Sequence, residues 1–130
     1  MDRCGTILLV EDEDLTREAA GELLRLHGYR VILAPDGQEA LRICEAQEPA
    51  IDLIVCDVIM PRFGGPALYQ ALRERGSDIP FLFVSGFLPG DDEAYRAVPA
   101  ETPMLQKPWR PDDLLRVIGA TLRRRAAGLP

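Results

Sequence analysis

Leu53-Ile54-Val55-Cys56-Asp57-Val58-Ile59-Met60-Pro61 is the stretch on which the reading of this chain turns. Four apolar residues run straight into one carboxylate. A short continuous apolar run reads as a strand covered on both faces, as in a parallel sheet. Asp57 stands where that strand ends, and Pro61 blocks its continuation. Open α/β sheets bind ligands beyond the carboxyl ends of their strands. Taken alone, Asp57 leans toward a loop aspartate capping the next helix. The residues that other strands bring to the same edge decide for chemistry.

Upstream, Thr6-Ile7-Leu8-Leu9-Val10 is a first buried strand, and it opens into the acidic run Glu11-Asp12-Glu13-Asp14. Asp14 is expected to be the N-cap of a helix over residues 15–27. Leu15, Ala19, Leu23 and Leu26 form its apolar stripe at helical spacing. Gly28 suits the position just past the helix end. His27, the only histidine, falls in the last turn, where it offsets the helix dipole. Residues 29–34 alternate partly, as an edge strand does. Asp36 then caps a helix carrying Ala40, Leu41 and Cys44, which ends before Pro49.

Downstream of Asp57, Arg62-Phe63-Gly64-Gly65 makes a turn, and Pro66 fits the first helical position. Leu68 and Leu72 face inward, and Gly76 ends that helix. Phe81-Leu82-Phe83-Val84 is a third buried strand, delivering Ser85 and the permissive Gly86 to the edge. Residues 87–103, punctuated by Pro89, Gly90, Pro99 and Pro103, are expected to be the least regular, with one or two helical turns between Asp91 and Ala97. Met104-Leu105-Gln106 is a short last strand that presents Lys107 before Pro108. Pro111 starts the final helix, with Asp112 and Asp113 in its first turn and Leu114, Leu115, Ile118 and Leu122 buried. Residues 126–130 should fray. Five strands alternating with five helices predict a doubly wound α/β fold with helices on both sheet faces. The expectation is one domain over residues 1–130, with its core at about 5–125.

The 130 residues carry a formal charge of -6, which argues against nucleic acid as a direct partner. Arg123-Arg124-Arg125 is the only basic cluster, at a helix end where it offsets the dipole. The hydrophobic share of 47% supports an ordinary core. No apolar run approaches the ~20 residues a membrane helix needs, and nothing at the N-terminus resembles a signal peptide. The expected location is the cytoplasm, without membrane insertion. Cys4, Cys44 and Cys56 form no metal-ligand spacing and read as thiols of a reducing compartment.

Glu11, Asp12, Asp57, Ser85 and Lys107 all end predicted strands on one edge. Three carboxylates in one cleft raise one another's pKa unless a cation neutralises them, and one lysine is not enough. An all-oxygen set suits a hard divalent ion, Mg²⁺ or Mn²⁺, that also takes phosphate oxygens. A carboxylate can itself be the nucleophile and form an aspartyl-phosphate, and Asp57 is the central candidate. Ser85 and Lys107 are placed to hold phosphoryl oxygens.

These residues resemble the receiver domain of two-component response regulators. The similarity rests on Leu9-Val10-Glu11-Asp12, on Asp57 with Met60-Pro61 and Gly65 behind it, on Ser85-Gly86 and on Lys107-Pro108. The Pro-rich approach to Leu105-Gln106-Lys107-Pro108-Trp109 is similar to receivers of hybrid sensor histidine kinases and to stand-alone receivers. The resemblance implies a flavodoxin-like (βα)5 fold with parallel strand order 2-1-3-4-5. It also implies phosphorelay signal transduction rather than turnover catalysis. Asp57 would accept phosphate from a phosphohistidine on a sensor histidine kinase or histidine phosphotransfer protein. Asp12 would bind Mg²⁺ directly, Glu11 through water, and the Ile59 carbonyl would add a ligand. Ser85 and Lys107 would bind the phosphoryl oxygens, and the Lys107–Pro108 peptide would be cis. A downstream protein target would read the surface of the family's fourth helix, last strand and fifth helix.

Two departures stand out. Met104 occupies the position where the family usually has Tyr or Phe, the residue whose rotamer is usually coupled to movement of the Ser/Thr. The helix expected between Asp91 and Ala97 is also shorter than the family's usual fourth helix. Ile59 and Phe87, two residues after Asp57 and Ser85, are bulky and apolar at the rim and are expected to obstruct an attacking water. Rival readings fare less well. A haloacid-dehalogenase-like phosphatase needs a second aspartate where Ile59 stands, and a flavodoxin-like carrier would have its flavin phosphate repelled by residues 11–14. The serious rival is a receiver-like interaction module that signals without phosphorylation, motivated by Met104.

Overall fold

The computed structural model describes residues 5–46, 50–60, 63–86, 98–99 and 102–128. In chain order these are β1 (Thr6–Val10), α1 (Asp14–Leu26), β2 (Arg30–Ala34), α2 (Gly37–Ala46), β3 (Leu53–Asp57), α3 (Gly65–Glu74), β4 (Phe81–Ser85), β5 (Met104–Gln106) and α4 (Pro111–Ala126). The strands form one parallel sheet in the order β2-β1-β3-β4-β5. The flavodoxin-like, doubly wound expectation holds. The anticipated helix between Asp91 and Ala97 lies outside the described residues, which contain four helices.

Alternation along the strands divides the core into two layers. Ile7, Leu9, Leu53, Val55, Leu82 and Val84 face α1 and α4, where Ala20, Leu24, Leu114 and Ile118 meet them. Leu8, Val10, Ile54, Cys56, Phe81 and Phe83 face α2 and α3, meeting Ala40, Leu68 and Leu72. Because both faces are covered, β1, β3 and β4 are buried at every position. That explains their uninterrupted apolar runs. Register then sets the edge. Val10 pairs with Cys56, Asp57 with Val84 and Ser85 with Gln106. Glu11, Asp57 and Lys107 therefore leave the sheet at one rim. The opposite rim is closed by local bonds: the Thr6 N–H donates to Asp52 Oδ2 at 2.8 Å and the Ile54 N–H to the Pro80 carbonyl at 3.0 Å.

The helix ends follow the sequence signals. Gly28 and Gly76 have φ of +93° and +84°. Each carries paired reverse bonds, Gly28 N–H to Arg25 O with Tyr29 N–H to Leu24 O, and Gly76 N–H to Arg73 O with Ser77 N–H to Leu72 O. Asp36 Oδ1 accepts from the Glu39 N–H at 2.8 Å, as a capping aspartate should.

Three expectations are corrected. The stripe of α1 that faces the sheet is Ala20, Gly21 and Leu24, while Leu15 and Leu26 are 82% and 79% exposed. Both stripes have helical spacing, so periodicity favoured the one richer in leucine. Close approach favoured the other, since a Cβ on Gly21 would already lie 3.0 Å from Leu33 Cδ2. The N-cap of α1 is Glu13 rather than Asp14, which sits in the first turn and pairs with Arg17 at 2.5 Å. Gly64 caps α3, so Pro66 takes the second helical position instead of the first.

Gly65 sits where α3 starts against β3. A Cβ there would lie 2.4 Å from the Asp57 carbonyl oxygen and 2.9 Å from Phe83 Cε1. Gly65→Ala should destabilise the fold by about 2 kcal/mol or more and lower Tm by roughly 5 °C or more. Gly119→Ala, whose Cβ would meet only the Arg123 side-chain end at 3.2 Å, should leave Tm unchanged or raise it. Thermal unfolding of the two variants side by side checks the contrast.

Candidate functional site

The ends of two strands and the loop after a third carry the charged groups of the cleft. β1 runs out into Glu11 and Asp12, β3 ends in Asp57, and the loop after β5 carries Lys107. Glu11 and Asp57 are 5% and 6% exposed, whereas Asp12 faces solvent. Carboxylate oxygens of all three lie within 4.8 Å of one another. The Lys107 ammonium donates to Glu11 Oε1 at 2.7 Å and to Asp57 Oδ2 at 3.0 Å. The second Glu11 oxygen accepts from the Glu13 N–H at 3.1 Å. Glu13, Ile59 and Gly86 complete the lining of a cleft of about 480 Å³.

The backbone around these side chains is pinned. The Val58 N–H donates to Val84 O at 3.0 Å, and the Gly65 N–H to Val58 O at 3.1 Å. The Lys107 N–H donates to the Ser85 carbonyl at 2.5 Å, and the Lys107–Pro108 peptide is cis. Ser85 is 2% exposed at the end of β4, beside this loop but not in the lining of the cleft. Met104 lies opposite Phe83 and packs in the α2/α3 layer. Phe87 lies outside the described residues. The pattern of strand ends did not reveal Arg17, whose Nη1 donates to the Glu11 carbonyl at 2.8 Å while Nη2 pairs with Asp14. The Asp14–Arg17 spacing of three on a helix was the available signal. Its reach back to Glu11 had none.

Charge in the cleft is unbalanced. Burial, then the neighbouring Glu11 carboxylate, pushes Asp57 up to about 7 against the opposing pull of Lys107. Burial and Glu11 also raise Asp12. Burial alone would raise Glu11 as well, but hydrogen bonds from Lys107 and its neighbours outweigh it and leave Glu11 lowered. Lys107 is raised, because its two carboxylate partners outweigh a burial penalty that would lower it. Cys56, fully buried beneath Asp57, is pushed well above the ordinary thiol range by burial and by that carboxylate. It is therefore an inert core thiol. Three clustered carboxylates against one ammonium, offering only oxygen donors, fit a hard divalent cation.

The raised Asp57 has a definite effect on stability. Its folded value exceeds the unfolded 3.8, so the ionised form opposes folding. The associated stability is complete below about pH 4 and is lost as pH rises through about 7. Without divalent metal, Asp57→Asn should raise stability by roughly 1–2 kcal/mol more at pH 8 than at pH 5, a Tm difference of several degrees. Equal effects at the two pH values would show that Asp57 ionises freely.

Residues 7–119 match the family described as response regulator receiver domains. The sensor kinase CckA of Brucella abortus is 39% identical over 121 residues, which are 92% of this chain and 13% of the kinase. The response regulator MprA of Mycolicibacterium vanbaalenii is 35% identical over 118 residues, 91% of this chain and 50% of that protein. The chain thus spans half or less of these curated relatives. Among solved structures, the receiver domain from the hybrid histidine kinase CckA superposes with a TM-score of 0.76 at 38% identity, covering 91% of this chain and 99% of that one. The Vibrio cholerae chemotaxis protein CheY4 gives 0.77 at 30% identity, covering 92% and 99%. With the strand order and the acidic rim already described, these matches show that the chain belongs to the receiver-domain family of two-component signalling systems.

Proposed function

We propose that Asp57 accepts a phosphoryl group from a phosphohistidine on a sensor histidine kinase or histidine phosphotransfer protein, and that the phosphorylated form alters contacts with a downstream protein. An Asp57 carboxylate oxygen forms the new P–O bond. The P–N bond breaks, and the imidazole nitrogen leaves with its electron pair. The observation that carries this reading is the single Lys107 ammonium bound to both Glu11 and Asp57. It holds Asp57 in place and supplies a positive charge where phosphoryl oxygens would arrive. Ser85 at the neighbouring strand end is the second donor to those oxygens.

Glu11, Asp12, Asp57 and the Ile59 carbonyl are the groups that would hold Mg²⁺ or Mn²⁺. When bound, the ion supplies charge neutralisation toward the incoming phosphoryl oxygens. The chain's own residues do the rest. Glu11 and Lys107 orient the Asp57 carboxylate. Ile59 narrows the approach of water at the cleft wall.

The reading that competes is an interaction module independent of phosphorylation, favoured by Met104 at the position of the family's aromatic. Beryllofluoride, a phosphoryl mimic, separates the two. With Mg²⁺ it should bind saturably to the wild type and fail to bind Asp57→Asn; absence of binding to the wild type would favour the interaction module. A second expectation concerns lifetime. Ile59→Asn should speed loss of the phosphoryl group several-fold, as roughly 1 kcal/mol of steric obstruction would imply. An unchanged rate in a radiolabel chase would remove Ile59 from that role.

A further inference from the structure

A second, much smaller cavity of about 10 Å³ lies beneath the acidic cleft. Glu11 and Asp57 are on its wall, and so are Thr16 and Ala20 of α1, Leu114 of α4 and Trp109. It is at the lower limit for one water molecule, a packing defect rather than a binding site. Trp109 is the only tryptophan of the chain. It follows Lys107 by two residues and precedes α4 by two, and it packs in the α1/α4 layer. Lys107 at the other end of this tether is held by its ammonium to the two acids and by its N–H to Ser85. Met104 belongs to the other layer and does not share this wall.

We infer that Trp109 is a positioning residue that carries a change of charge at Asp57 to the first turns of α1 and α4. The inference rests on the phosphoacceptor reading of Asp57. A phosphoryl group moves negative charge outward from the carboxylate oxygen that Lys107 now holds. Lys107 follows that charge, and the two-residue tether draws Trp109 with it. Close-packed cores resist such shifts, but the defect beside Trp109 leaves room for a small one. Thr16 and Leu114, on the same wall, then repack. The consequence is a response on the α1/α4 side of the sheet.

The test uses the full chain with Mg²⁺ and beryllofluoride. In the wild type, beryllofluoride should change Trp109 emission and alter amide hydrogen exchange over residues 14–20 and 111–118. Trp109→Leu should still bind beryllofluoride within about 3-fold of wild type yet lose most of that exchange response, and Trp109→Phe should restore it. A full response in Trp109→Leu, or wild-type emission indifferent to bound beryllofluoride, overturns the inference while leaving the Asp57 reading intact. Loss of binding in a folded Trp109→Leu overturns it too, by making Trp109 part of the site itself. Wild-type protein that binds no beryllofluoride overturns both.

Discussion

One ammonium shared between two buried carboxylates is the interaction on which the site depends. Lys107 reaches Glu11 and Asp57 at 2.7 and 3.0 Å, and both acids are almost wholly withdrawn from water. Burying either charge without a partner would be strongly unfavourable. A single lysine compensates the pair only in part, and Asp12 adds a third negative charge at the mouth. The result is a cleft that is held together and still short of positive charge. Glu11 keeps the larger share of Lys107's favour and is lowered, while Asp57 is left raised. The same shortage that weakens the fold at neutral pH makes the cleft receptive to a cation.

That pairing is possible only because the sheet is parallel and doubly wound. Parallel strands all end at one rim, and each of β1, β2 and β3 leaves it through a short loop into a crossover helix. Pairing of Val10 with Cys56 places the next residues of β1 and β3, Glu11 and Asp57, side by side. A β5 of only three residues then brings Lys107 to the same level from two strands away. Gly65 belongs to the same arrangement, since α3 can start close behind Asp57 only without a side chain there.

Much of this was legible in the sequence, for a physical reason. Strands buried on both faces must be apolar throughout, so Thr6–Val10, Leu53–Asp57 and Phe81–Ser85 stood out, and the polar residues ending them stood out equally. Cap signals at Asp36, Gly28 and Gly76 were local and were read correctly. The face of α1 was not legible. Its sheet-facing stripe is made of small residues whose merit is close approach to Leu33, a property of the partner surface and not of the helix. Arg17 and Trp109 were missed as neighbours of the acids because neither ends a strand. Only the packing of α1 and α4 onto the sheet brings them there.

The rim opposite the acids has its own significance. There the chain enters β1, β3 and β4 through bonds such as Thr6 to Asp52 and Ile54 to Pro80, and none of the charged cleft residues is involved. Chemistry and entry turns are thus separated by the length of a strand. The entry to β4 over residues 77–80 thus lies about 15 Å from the cleft by the rise of a five-residue strand, so substitutions there bear on how the sheet is held and not on the acids.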